Sequence, residues 1–248
     1  MATQKSITLG ERLRLASQKI EGPAPVRPAL RLLANEAGYV FSPLTSRLRS
    51  PPAIQPAANP SIVLMLPGFL ATPVTMRYLS LQIERAGHKA KLWKLGFNSG
   101  PSPERIAALE DRLIAVYERY ETKPVLLGWS LGGMFGRELA HRHPDKVAKV
   151  ITMGSPFSGD PRANNAWRLY QFVTGHRVDA PPVENRVGTK PPVETVAMWS
   201  PRDGVIAPDC ARGLTHERDR TIEVDCTHMG FSYAPAAVRA VISELERV

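Results

Sequence analysis

No run of apolar residues in this chain approaches the ~20 that a membrane-crossing helix needs. The first twenty residues are broken up by Lys5, Glu11, Arg12, Arg14 and Lys19. They therefore lack the continuous apolar segment of a secretory signal and predict an intracellular, cytoplasmic protein. Aromatic residues are sparse, at 7%, and do not alternate with basic ones in any tract. That absence sets nucleic acid aside as a partner, although the formal net charge is +9. Acids are scarcest at the front: residues 1–60 hold three of them (Glu11, Glu21, Glu36) against eight Lys or Arg. Such an excess reads as a solvated arm or as a patch for an anionic membrane surface.

What remains is an ordinary globular composition, 43% hydrophobic and 22% charged over 248 residues. It suits one substantial α/β domain with a large core. Residues 3–20 predict a short amphipathic helix with Ile7, Leu9, Leu13, Ala16 and Ile20 on one face, stopped by Gly22-Pro23. Residues 28–42 predict a second helix, and Ser50 to Pro60 is a Pro/Ala-rich linker. These features make 1–60 a helical N-terminal extension and 61–248 the main domain.

The main domain alternates strand and helix. Ser61–Leu66 is a continuous apolar run of the kind found in central parallel strands. Helix 73–87, strand 88–95 and helix 103–120 follow, the last with Ser102 as its cap. Then come strand 123–128, helix 131–143, strand 147–153, strand 195–199, strand 221–224 and helix 236–247. The pattern implies a mostly parallel central sheet with helices on both faces. Residues 157–191, with Trp167, Tyr170 and Phe172 among several Pro and Gly, interrupt the rhythm.

One stretch organises the chemistry. Pro124-Val125-Leu126-Leu127 runs into Gly128-Trp129-Ser130-Leu131-Gly132, and a helical pattern begins at once. Strand, tight turn and helix in succession would push Ser130 into a strained conformation that presents its hydroxyl. Gly128 and Gly132 lack a Cβ, so strand and helix can close on either side of it. Leu131 opens the helix, where its N–H has no partner within the helix and is free to face a developing anion. This Gly-x-Ser-x-Gly element resembles the nucleophile elbow of the α/β-hydrolase superfamily.

Three further segments carry the resemblance, in the family's order. Leu66-Pro67-Gly68-Phe69 follows the first strand, where the family places its second oxyanion donor, here the Phe69 N–H. Asp203-Gly204 follows strand 195–199, and His228-Met229-Gly230 follows strand 221–224. The resemblance covers roughly residues 61–248 and is strongest to bacterial serine esterases and lipases. It implies Ser130 as nucleophile, His228 as general base and acid, and Asp203 as the acid orienting the imidazole. It implies that residues 157–191 form a small cap or lid. Asp225 and Asp209 are rival acids in less suitable places. His141 and His143 lie two residues apart on different helix faces, which argues against a metal pair. His88, His176 and His216 have no motif around them.

Cys210 and Cys226 flank the acid and histidine loops. A bridge would tie those loops as in some secreted lipases, whereas a cytosolic compartment favours free thiols. The expected activity is ester hydrolysis through an acyl-enzyme on Ser130, with a small-molecule or lipid ester as substrate. No metal or organic cofactor is implied. An acyltransferase with the same triad, and a non-catalytic binding protein on a hydrolase fold, remain alternatives. Residues 1–60 are either a buttress on the main domain or a peripheral membrane adaptor, and the oligomeric state is open.

Overall fold

The computed structural model describes residues 7–19, 22–38, 56–184, 186 and 188–247. Six strands form its sheet: β1 (Ile62–Leu66), β2 (Lys89–Leu92), β3 (Val125–Trp129), β4 (Lys149–Met153), β5 (Glu194–Trp199) and β6 (Arg220–Glu223). Every pairing is parallel, in the order β2-β1-β3-β4-β5-β6. β1, β3 and β4 are buried at every position, which is why they read as unbroken apolar runs.

Alternate residues of these strands feed two cores. Val63, Met65, Val125, Leu127 and Ile151 face α3 (Arg77–Arg85) and α8 (Pro235–Leu245) on one side. Leu64, Leu66, Leu126 and Val150 face α4 (Pro103–Tyr120) and α5 (Leu131–Arg142) on the other. The side-chain period of two thus builds a three-layer α/β sandwich. α4 begins where its capping chemistry requires: the Ser102 hydroxyl accepts the Arg105 N–H at 3.2 Å and Pro103 occupies the first turn. The helix expected over 73–87 instead opens as a 3-10 turn, Pro73–Met76, before α3.

The extension lies on the main domain. Of the expected helix 3–20, residues 3–6 and 20 lie outside the described residues; within 7–19, α1 spans Leu9–Ala16, started by a capping box of Thr8 and Glu11. It packs on α6 (Trp167–Thr174), where Arg12 donates to the Phe172 carbonyl at 2.9 Å and Gln171 donates to that of Leu15 at 2.6 Å. α2 (Leu30–Glu36) falls inside the expected 28–42, and it lies against the loop after β5. Residues 1–6 and 39–55, which include the end of the second expected helix and half of the linker, lie outside the described residues. Cys210, in α7 (Pro208–Arg212), and Cys226 are separate buried thiols, so the bridge held open above is not formed.

Candidate active site

The register brings the C-terminal ends of the strands together, with Leu66 opposite Gly128, Trp129 opposite Met153, and Met153 opposite Met198. Loops leaving this edge carry Phe69, Ser130, Asp203 and His228, and this edge is where ligands bind in open parallel sheets. Ser130 stands between β3 and α5 with φ 53° and ψ −123°. Such a conformation costs a non-glycine residue on the order of 1–3 kcal/mol and persists because its surroundings hold it. The Ser130 N–H donates to the Met153 carbonyl at 2.8 Å, and the Ser130 carbonyl accepts from Gly133 at 3.0 Å. A Cβ on Gly132 would collide with the Leu66 carbonyl, and one on Gly128 with the backbone of Gly133, so both positions exclude any other residue.

Asp203 and His228 meet. Their Oδ2 and Nδ1 atoms are 2.7 Å apart, and both side chains are buried. The other carboxylate oxygen of Asp203 accepts the N–H groups of Val205 and Ile206, each at 2.8 Å. His228 is held from behind as well: the Trp129 indole donates to its carbonyl at 3.0 Å, and the two rings lie 5.7 Å apart. Gly154 links this pair to the elbow. It follows Met153, the acceptor for Ser130, and sits against Asp203 Oδ2 and His228 Nδ1, where a Cβ would be 3.0–3.1 Å from each. Burial alone would lower the imidazole pKa. The Asp203 charge and hydrogen bond, helped by the charge of Glu36, outweigh it and hold His228 above the ordinary histidine value.

The rival groups are turned elsewhere. Asp225 is 73% exposed and paired with Arg202, and Asp209 is 85% exposed and paired with Arg212. His141 contacts the Thr189 carbonyl, His143 contacts Glu110, and His88 accepts the Ser61 N–H. Among the described residues, no cluster of His, Cys, Asp or Glu is arranged to hold a metal ion. Burial raises the Cys210 thiol to about 11 and pushes that of Cys226 up further, so neither is a ready thiolate.

A cavity of about 400 Å³ opens beside Ser130, Leu131 and Phe69. Its remaining wall is largely apolar and aromatic, and residues 157–191 contribute Phe157, Trp167, Tyr170, Val178 and Val183 to it. Phe69 and Tyr170 meet across it with ring centroids 5.2 Å apart. Two residues that reasoning from sequence passed over also serve the site. Asn98, fully buried, donates from its amide to the Pro67 carbonyl at 2.8 Å, while its backbone carbonyl accepts the Leu70 N–H at 2.8 Å. It thereby fixes the loop bearing Phe69, although in sequence it is one polar residue in a Gly-rich loop. The other is Glu36, whose carboxylate reaches the backbone of both the acid loop and the histidine loop.

A family model described as alpha/beta hydrolase fold matches residues 97–207. That stretch includes the elbow and Asp203 but neither Phe69 nor His228. The biotin biosynthesis bifunctional protein BioHC of Teredinibacter turnerae is 30% identical over 117 residues, which is 46% of this chain and 20% of that protein. The pimeloyl-(acyl-carrier protein) methyl ester esterase of Aromatoleum aromaticum is 37% identical over 67 residues, 27% of each chain. The matches thus span well under half the length of these relatives. Among solved structures, a monoacylglycerol lipase of Paleococcus ferrophilus superposes with a TM-score of 0.56 at 15% identity, covering 78% of this chain and 96% of that one. The enol-lactonase of Burkholderia xenovorans does so with a TM-score of 0.55 at 15% identity, covering 78% and 95%.

Proposed function

This chain is an α/β-hydrolase by fold, and from that premise we propose that it is a serine hydrolase of carboxylic esters acting through an acyl-enzyme on Ser130. The observations that carry the reading are the buried Asp203–His228 pair and a serine held at φ 53°, which Met153 and Gly154 join: the Ser130 N–H donates to the Met153 carbonyl, and Gly154 packs on the pair. A serine hydroxyl is a weak nucleophile until a base takes its proton. Asp203 Oδ2 accepts a hydrogen bond from the His228 Nδ1–H, which leaves Nε2 unprotonated and able to serve as that base. Because Asp203 is itself fixed by two backbone N–H groups, the tautomer is set before substrate arrives.

His228 then accepts the hydroxyl proton as Ser130 Oγ bonds to the ester carbonyl carbon. The negative charge moves to the carbonyl oxygen, where the N–H groups of Phe69 and Leu131 stabilise it. Among the described residues neither N–H has a protein acceptor, so both are free for this use. Collapse of the tetrahedral species breaks the bond to the alcohol, which leaves with the proton from His228. A water then repeats the sequence: it gives its proton to His228, attacks the acyl carbon, and releases the acid as Ser130 recovers its proton.

The cavity's size and its aromatic lining suit an ester of a small or medium apolar acid. The esterase and lipase activities named for the relatives point in the same direction. Chromogenic esters of increasing acyl length test the reading. Turnover should peak at a length the cavity accommodates and vanish in a folded Ser130→Ala protein. Appreciable hydrolysis by that variant would refute it.

A further inference from the structure

Glu36 ends α2 in the N-terminal extension and is nearly buried. One of its carboxylate oxygens accepts the N–H of Gly204 at 2.9 Å and that of His228 at 2.7 Å. The other accepts the N–H of Met229 at 2.9 Å. Three donors from two separate loops, two of them buried and one partly buried, thus converge on one side chain more than 160 residues away in sequence. Gly204 follows the orienting acid Asp203, and His228 is the base itself. The approach is close: a Cβ on Gly204 would collide with the Leu32 carbonyl, so glycine there admits the α2 backbone. Asn165 joins the same junction, donating to both the Pro28 and Gly204 carbonyls at 3.0 and 2.8 Å.

We propose that Glu36 is a positioning residue of the active site, a clamp supplied by the extension that holds the Asp203 and His228 loops at the separation their hydrogen bond requires. The proposal rests on the reading of Ser130, His228 and Asp203 given above. Hydrogen bonds from N–H groups to a carboxylate are shorter and stronger than neutral ones. Loss of the carboxylate would leave these N–H groups, two of them buried, short of an acceptor, and the loops would move to satisfy them. Besides the Asp203–His228 bond itself, the loops are tied by the Ser200 hydroxyl donating to the Cys226 carbonyl at 2.5 Å and by the exposed Arg202–Asp225 pair at 3.0 Å, and neither provides an acceptor for the Gly204, His228 and Met229 N–H groups.

The clamp also has an electrostatic side. The charged groups facing the imidazole are Asp203 and Glu36, and the more distant Arg202–Asp225 pair is solvated. The buried Cys226 thiol stays neutral at working pH. Removing the Glu36 charge therefore disfavours the imidazolium.

The test uses the full chain and four variants: Glu36→Gln, Glu36→Asp, Leu79→Ala and Ser130→Ala. Leu79 is a fully buried residue of the core in α3. Its truncation supplies a stability-matched control outside the site. In Glu36→Gln the amide oxygen can keep the Gly204 and His228 N–H groups, but the NH2 then faces the Met229 N–H. The resulting shift of the histidine loop should lower kcat on a soluble ester on the order of 10- to 100-fold, because displaced catalytic groups cost that much. KM should stay within about twofold, since the cavity wall is untouched. The acid limb of kcat/KM should move to lower pH. Glu36→Asp keeps the charge but is one methylene short; it should lose kcat with the limb in place, and it carries the test if the amide variant does not fold. Leu79→Ala should lower Tm with kcat and the limb unchanged. Wild-type kcat in a folded Glu36 variant, or an equal loss in Leu79→Ala, overturns the clamp. A folded Ser130→Ala protein that still turns over would instead refute the underlying site.

Discussion

Replacing Asp203 by Asn tests the proposed role of Asp203 as the orienting acid, because the structure dictates how the amide must sit. Oδ1 of Asp203 accepts two backbone N–H groups, from Val205 and Ile206, each at 2.8 Å. In Asp203→Asn the amide oxygen must keep that place. The flipped rotamer would set an NH2 group against two N–H donors, one buried and one partly buried, costing up to about 1–3 kcal/mol for each donor left unpaired. The NH2 is thus directed at His228 Nδ1, 2.7 Å from the present Oδ2. It can only donate, so Nδ1 becomes an acceptor and the proton moves to Nε2, the atom that has to act as base. The wrong tautomer in such a triad lowers kcat on the order of 10⁴-fold, or about 5.5 kcal/mol of transition-state stabilisation. Stability should change little, since the loop keeps both backbone hydrogen bonds. Initial rates on a soluble chromogenic ester, with Tm measured alongside, check both halves. Asp225→Asn, at an exposed ion pair, should leave kcat nearly intact. The reasoning fails if Asp203→Asn stays within tenfold of wild type, or if the two variants rank the other way.

In the proposed mechanism His228 must be neutral to act as base, and Asp203 and Glu36 hold its pKa above the usual 6.5, so kcat/KM should rise with pH along a limb centred above 6.5. A limb centred below that value contradicts the assigned environment of His228. Asn98→Ala should lower kcat on the order of 10-fold or more with KM little changed, because the Phe69 loop loses its anchor at the Pro67 carbonyl; unchanged kcat would show that the loop holds itself. Removing residues 1–60 should lower Tm and activity on a soluble ester together, since Glu36 and α1 leave with them. A 61–248 protein that stays folded and active, and loses only the binding of anionic vesicles seen at low salt with the whole chain, would favour the membrane-adaptor reading instead.

What the sequence disclosed was local. The elbow, the unbroken apolar strands and the Ser102 cap each lie within a few residues, and their backbone consequences are decided there. The order of the strands was not legible, because it depends on which edges pair after the chain has folded back. The capping box of Thr8 and Glu11 that starts α1 at Leu9 went unread beside the apolar pattern. Glu36 left no signal at all: it counted as one of three acids in a basic arm, and its partners are backbone N–H groups, which any residue supplies. Asn98 escaped for the same reason, since a carbonyl as its partner leaves no motif.

The central claim is that Ser130 is the nucleophile. Intact-protein mass after treatment with a fluorophosphonate, followed by peptide mapping, tests it most directly. The account predicts one equivalent of probe on Ser130, activity lost in step with labelling, and no labelling of a folded Ser130→Ala protein. Labelling at another residue, or full ester hydrolysis by protein quantitatively modified at Ser130, would contradict it.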